Sequence, residues 1–143
     1  MLLNKLKTIN IYGKAASVRP EKYLIKWNDK SRSKLQFNVK QFFKKYWIKD
    51  IVGEEVLIPQ TRLRVDIVNF SRKIAVEVNG LFHVEYTPYF QNSVEDFERQ
   101  VYRDVLKEHL LEKNGFEVIE IYEKNMPLKE KWVEKVFGSH ILR

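Results

Sequence analysis

Two carboxylates, Asp66 and Glu77, stand on consecutive strand-like runs, Leu63-Arg-Val-Asp-Ile-Val-Asn-Phe70 and Lys73-Ile-Ala-Val-Glu-Val-Asn79. If Ser71 and Arg72 form the tip of a two-residue hairpin, antiparallel pairing joins positions whose numbers sum to 143, and Asp66 faces Glu77. Directly opposed side chains in such a ladder have Cβ atoms roughly 4.5–5.5 Å apart, where like charges repel. Both runs are otherwise rich in Val and Ile, so the pair is not spread over an open polar face. A divalent cation bridging the two carboxylates turns the repulsion into a binding site. The chain is therefore a candidate metal-dependent enzyme.

The elements that must position this pair can be read on either side of it. Residues 1–30 suggest a short strand near Thr8–Tyr12, a loop to Pro20 and a strand Lys22–Trp27. Ser31 or Ser33 can cap a helix running to Trp47, with Leu35, Val39, Phe42, Phe43 and Tyr46 at helical spacing. Lys34, Lys40, Lys44 and Lys45 lie on its other side. A strand Glu54–Ile58 ends at Pro59, and the carboxylate hairpin follows. Its second run, Ile74–Val78, is apolar on both faces apart from Glu77, as a central strand covered on both sides would be. Ser93 can cap a helix to Lys113, with acidic residues in its first turn and Gly115 beyond its end. A strand Phe116–Tyr122 and a short terminal helix after Pro127 complete the chain. This order predicts an α/β fold with a mixed central sheet flanked by helices.

Composition narrows the setting. The 143 residues suit one domain, with 1–30 as a basic N-terminal extension and 123–143 as a C-terminal helical tail. There is no cysteine, which excludes disulfides and thiolate zinc sites and suits a reducing compartment. No apolar run approaches the ~18 residues of a membrane span, and Lys5 and Lys7 break any signal-peptide layout. The expectation is a cytoplasmic protein of a bacterium or a phage-infected host, without membrane contact. Residues 1–50 carry 13 Lys/Arg against three acids, interleaved with aromatic residues, whereas residues 51–143 carry 13 against 16. A basic half of this kind fits a polyanion such as DNA.

The spacing Asp66, ten residues, Glu77, one residue, Asn79 resembles the catalytic core of the PD-(D/E)XK, or restriction-endonuclease-like, nuclease superfamily. Glu77-Val-Asn-Gly80 is followed by His83, a helix with Arg103-Asp104, Lys107 and Leu111, then Asn114-Gly115 and the strand Phe116–Tyr122. That progression resembles the Vsr-like branch of very-short-patch-repair and related small endonucleases, phage-encoded and homing-type members above all. The likeness extends to Ser31–Phe37 and Glu54–Pro59. It implies a restriction-endonuclease-like core that binds Mg2+, for which Mn2+ would substitute. The implied ligands are Asp66, Glu77 and the main-chain oxygen of Val78.

The chain departs from the superfamily at the lysine that positions the attacking water. Asn79 occupies that place, and an amide can hydrogen-bond water but cannot carry charge or accept a proton. His83, as in Vsr-like enzymes, then becomes the implied general base, suited to neutral pH by an imidazole pKa near 6.5. A packed or surface histidine is the alternative. Gln36 stands where related nucleases often carry a Glu near the metal. Arg103 and Lys107 lie a turn apart, with Arg99 a turn earlier, as a phosphate clamp or a solvated stripe. Asp104 is a secondary site, and Lys34, Lys40, Lys44 and Lys45 are the candidate DNA contacts.

The reading is a Mg2+-dependent DNA endonuclease. A Holliday-junction or branched-DNA nuclease and a non-catalytic nucleic-acid-binding module on the same fold are the alternatives. Monomer and homodimer both fit. On this reading His83→Ala lowers the cleavage rate by ~10²–10⁴, the usual worth of general acid–base catalysis, and leaves DNA affinity unchanged. A variant cleaving at the wild-type rate in single-turnover assays would remove the histidine from the mechanism.

Overall fold

The computed structural model describes residues 6–80 and 94–143. A short hairpin of β1 (Lys7–Ile9) and β2 (Ala15–Ser17) precedes helix α1 (Lys34–Trp47). Strands β3 (Val52–Leu57), β4 (Arg64–Asn69) and β5 (Ile74–Asn79) follow. Helix α2 (Val94–Lys113), strand β6 (Glu117–Tyr122) and helix α3 (Glu130–Phe137) complete the order. Among the described residues the larger sheet runs β3-β4-β5-β6, antiparallel through β5 and parallel between β5 and β6. A parallel neighbour needs a crossover, and α2 lies within that connection. The mixed α/β architecture is the expected one.

Local chemistry explains the helix ends. Ser33 rather than Ser31 caps α1: its Oγ accepts from the Gln36 amide at 3.0 Å, while the Ser31 hydroxyl donates to Glu54. Gly115, at φ +82, closes α2 in a Schellman motif. Its N–H donates to the Glu112 carbonyl at 2.9 Å, and that of Phe116 to the Leu111 carbonyl at 3.0 Å. Leu111 and Phe116 are then buried together under the sheet. The proposed cap Ser93 lies outside the described residues.

The sheet is covered on both sides. On one, Ile67, Ile74, Val76, Val78, Ile119 and Ile121 pack with Val39, Phe43 and Trp47 of α1 and Val133 of α3. On the other, Val68, Phe70 and Ala75 meet Leu111, Phe116, Leu6 and Val18. β5 contributes to both clusters, as its doubly apolar pattern predicts. Leu6, Val18 and Ile141 are therefore built into the core, and Trp47 Nε1 donates to the Ile141 carbonyl at 2.8 Å.

Two local expectations fail. The β4–β5 register is the predicted one, with Ile67 opposite Val76, Val68 opposite Ala75 and Asn69 opposite Ile74. The turn, however, takes in Phe70 to Lys73, with Lys73 at φ 58. Side chains shape it: Asn69 Oδ1 accepts from the Arg72 amide at 2.9 Å, and Ser71 Oγ accepts from Ile51 at 2.8 Å. The expected strand Lys22–Trp27 is a 3-10 turn at Pro20–Lys22 followed by a single bridge, Leu24 to Gly53. Helix α1 takes the carbonyls a longer ladder would need. Lys40 Nζ binds those of Lys26 (3.1 Å) and Asp29 (2.7 Å), and Gln41 Nε2 that of Trp27.

The bridge depends on Gly53. A Cβ there would lie 2.8 Å from Val56 Cγ2, 3.1 Å from Phe70 Cε2 and 3.3 Å from the Tyr23 carbonyl. Gly53→Ala is expected to lower stability by about 1–3 kcal/mol, the usual range for overpacking. Denaturant titration would read this as a lower midpoint at unchanged slope.

Candidate active site

The carboxylate pair lies where the β4–β5 ladder opens. Continuing the register past Ile67 and Val76 sets Asp66 across from Glu77. The Val78 amide turns to the Asp66 side chain instead of the neighbouring backbone, donating to Oδ2 at 2.8 Å. Asp66 is 3% exposed, with Arg32 Nη2 3.9 Å from its Oδ1. Val78, the proposed main-chain ligand, is thus adjacent to Asp66 through its own peptide.

Glu77 is the strained member. Lys107 Nζ reaches its Oε2 at 3.3 Å from α2, and among the described residues no donor reaches the buried Oε1. Burial, then the charge of Asp66, hold the Glu77 carboxyl up at about 8, against the pull of Lys107. A buried polar oxygen left unpaired is expensive and calls for an explanation.

Two further acids extend the row across the sheet. Glu55, at φ 52, follows Glu54 on β3, and the β3–β4 register sets it across from Asp66. Its carboxyl is raised by burial and then by the Asp66 charge, against the Gln36 hydrogen bond. On the other side Glu120 of β6 pairs in register with Glu77 and accepts a hydrogen bond from the Tyr122 hydroxyl, holding that phenol up at about 12. Asn79 pairs in register with Tyr122. Glu77, Asn79, Lys107, Glu108, Glu120 and Tyr122 share a small cavity of about 60 Å3 with Asp104 and two apolar side chains, Leu111 and Val118.

The proposed residues divide into those gathered here and those elsewhere. Gln36 is buried and faces inward, as expected. Its Nε2 donates to Glu54 Oε2 at 2.9 Å and Glu55 Oε2 at 3.3 Å, so it orients carboxylates. Lys107 leaves the helix surface for Glu77, rather than standing in a solvated stripe with Arg103, which is exposed. Arg99 pairs with Asp96 at 3.0 Å. Lys40 is not a DNA contact: it is 0% exposed, and its ammonium binds Glu54 Oε1 at 3.1 Å besides two carbonyls. Lys44 is half-buried with Nζ on Asn28 Oδ1 at 2.7 Å, and Lys45 lies over the Phe42 and Tyr46 rings. Lys34 is exposed. His83 lies outside the described residues. Sequence reasoning missed Glu55, Glu120 and Arg32, although a tandem Glu54-Glu55 inside an apolar strand was a visible signal.

Among the described residues no three His, Asp or Glu side chains converge as metal ligands. Asp66, Glu77 and the Val78 peptide instead offer two carboxylates and one main-chain oxygen, and hard oxygen donors of this kind suit Mg2+. The unpartnered Glu77 Oε1 fits the same group.

No family model matches the chain. No solved structure matches it either. A curated relative, uncharacterized protein 307L of Invertebrate iridescent virus 6, is 36% identical over 59 residues, which is 41% of this chain. The match spans 30% of that viral protein's length.

The Glu77 carboxyl sets a pH dependence. An unfolded chain releases this proton near 4.5 and the folded one near 8, so between those values the folded state holds more protons. Stability in metal-free solution therefore falls as pH rises through that window. Glu77→Gln is expected to remove that fall and to exceed the wild type in stability above pH 8, read by thermal melts in chelator.

Proposed function

We propose that this chain is a Mg2+-dependent endonuclease that hydrolyses phosphodiester bonds in DNA, built on a restriction-endonuclease-like core. The observation that carries the reading is that the β4–β5 register, continued one residue, sets Asp66 across from Glu77, whose buried Oε1 no donor reaches among the described residues. The spacing to Asn79, the mixed sheet and the crossover helix α2 support it. Asp66, Glu77 and the Val78 main-chain oxygen would hold the cation. When bound, the cation supplies Lewis-acid polarisation of the phosphoryl group and neutralises its charge.

The residues of the chain supply the remainder. Val78 N–H orients the Asp66 carboxylate, and Gln36 orients Glu55. Lys107, placed from α2, brings to the pair the positive charge that Asn79 cannot supply from β5. Its ammonium is a donor for a phosphate oxygen or for the attacking water. Asn79 hydrogen-bonds that water, and His83 removes its proton. The site lies at the carboxyl ends of β5 and β6, where open α/β sheets commonly bind ligands. Phage homing and repair-type nicking enzymes are the nearest functional models, and the protein would act on DNA inside a cell.

A second reading has one observation in its favour. Lys107 already neutralises part of the pair, as a nucleic-acid-binding module without catalysis would require. Incubation with Mg2+ and a panel of linear, mismatched, branched and single-stranded DNAs separates the two. Cleavage by the wild type is expected. Asp66→Ala or Glu77→Ala is expected to abolish it while retaining DNA affinity and fold. Full activity in Asp66→Ala would sink the active-site assignment, and binding without cleavage on every substrate would favour the module.

A further inference from the structure

The basic half of the chain extends beyond α1. Lys40 is buried, Lys44 is engaged with Asn28, and Lys45 lies over aromatic rings. Five cations stand together around an open cleft of about 390 Å3, beside the start of α1 and the end of β3. Lys22, Lys26, Lys30, Arg32 and Arg64 line it, with Lys22, Lys26, Lys30 and Arg64 exposed and the Arg32 side chain 62% exposed. The acids in the same cleft are Asp29, Glu54 and Glu55. Glu54 is neutralised from below by buried Lys40, with Ser31 and Gln36 also on its carboxylate. The cleft is therefore net positive.

The loop that carries Lys26 and Lys30 is held in place without using those two side chains. Buried Lys40 grips the carbonyls of Lys26 and Asp29, and Gln41 grips that of Trp27, so the loop presents Lys26 and Lys30 at fixed positions. Arg64 Nη1 donates to the Glu55 carbonyl at 3.0 Å, fixing the opposite wall. Arg32 joins the cleft to the carboxylate pair, with Nη2 3.9 Å from Asp66 Oδ1. An array of fixed point charges leading to Asp66 suits a regular polyphosphate. The cleft's aromatic side chain, Tyr23, packs against the Val68–Phe70 core cluster, whereas binding a single strand uses exposed rings as stacking platforms.

We propose that this cleft, framed by Lys22, Lys26, Lys30, Arg32 and Arg64, binds the phosphate backbone of duplex DNA and leads it to Asp66. The inference rests on the nuclease reading for its substrate, but its test does not need cleavage. Binding of a labelled duplex is measured by fluorescence anisotropy in chelator over a range of salt. The probes are wild type, Lys26→Glu/Lys30→Glu and the control Lys131→Glu/Lys135→Glu on α3, each checked by thermal melting. Because each phosphate contact is worth about 0.9 in the log–log salt slope, the cleft variant is expected to lose up to about 1.8 and more than tenfold in affinity. The control keeps the wild-type slope. An unchanged slope in the cleft variant, or an equal loss in the control, overturns the proposal. So does tighter binding to a single strand than to the duplex. Wild type that binds through the cleft but never cleaves with Mg2+ supports the cleft and removes the nuclease reading. Cleavage at the wild-type rate and salt dependence by the Lys26→Glu/Lys30→Glu protein does the reverse.

Discussion

The mutual repulsion of Asp66 and Glu77, placed on neighbouring strands and shut away from water, is the constraint around which this fold is arranged. In solvent the two charges would cost little; inside a protein they cannot both ionise freely. The chain relieves the conflict in three ways. The Val78 peptide donates to Asp66, Lys107 crosses from α2 to Glu77, and the Glu77 carboxyl retains its proton to about 8. Among the described residues no donor reaches Glu77 Oε1. Sites that keep such an unrelieved group commonly do so for a ligand or for chemistry.

The rest of the structure holds that pair rigid. β5 sits inside the sheet, with apolar residues on both faces and α2 in the connection that returns the chain parallel to it. The closure of α2 by Gly115 brings Leu111 and Phe116 under the sheet and so sets the helix that carries Lys107. On the opposite flank the buried Lys40–Glu54 pair ties α1, the 26–29 loop and β3 together. Taking two charges out of water offers weak stabilisation by itself, but losing one partner is severe. That pair is best understood as fixing where the loop and Glu55 stand.

Much of this is legible in the residues. The strand runs in residues 63–79 fix which residues face each other, because a one-residue slip would move every side chain to the other face and so into the wrong core cluster. For that reason the register holds although the turn is longer than a two-residue tip. Turn geometry depends on Asn69 and Ser71 side chains bonding to backbone far from any strand pattern. The burial of Lys40 is not legible, since a lysine at a polar helix position reads as solvated. Its partners are loop carbonyls and a glutamate on another element. The same long-range contacts remove the expected strand at 22–27. Glu55 is hidden from a strand reading because its positive φ breaks the alternation on which such a reading relies.

On the proposed function, the Asp66–Glu77 pair would take up a cation from a partly protonated state. Calorimetric titration of the protein with Mn2+ near neutral pH, in buffers of different ionisation heat, tests it most directly. The account predicts saturable binding that releases about one proton per cation at neutral pH, because ligand carboxylates must be deprotonated. Above the pH at which Glu77 has already ionised, release should vanish. Absence of binding, or binding with no proton released at neutral pH, would contradict it.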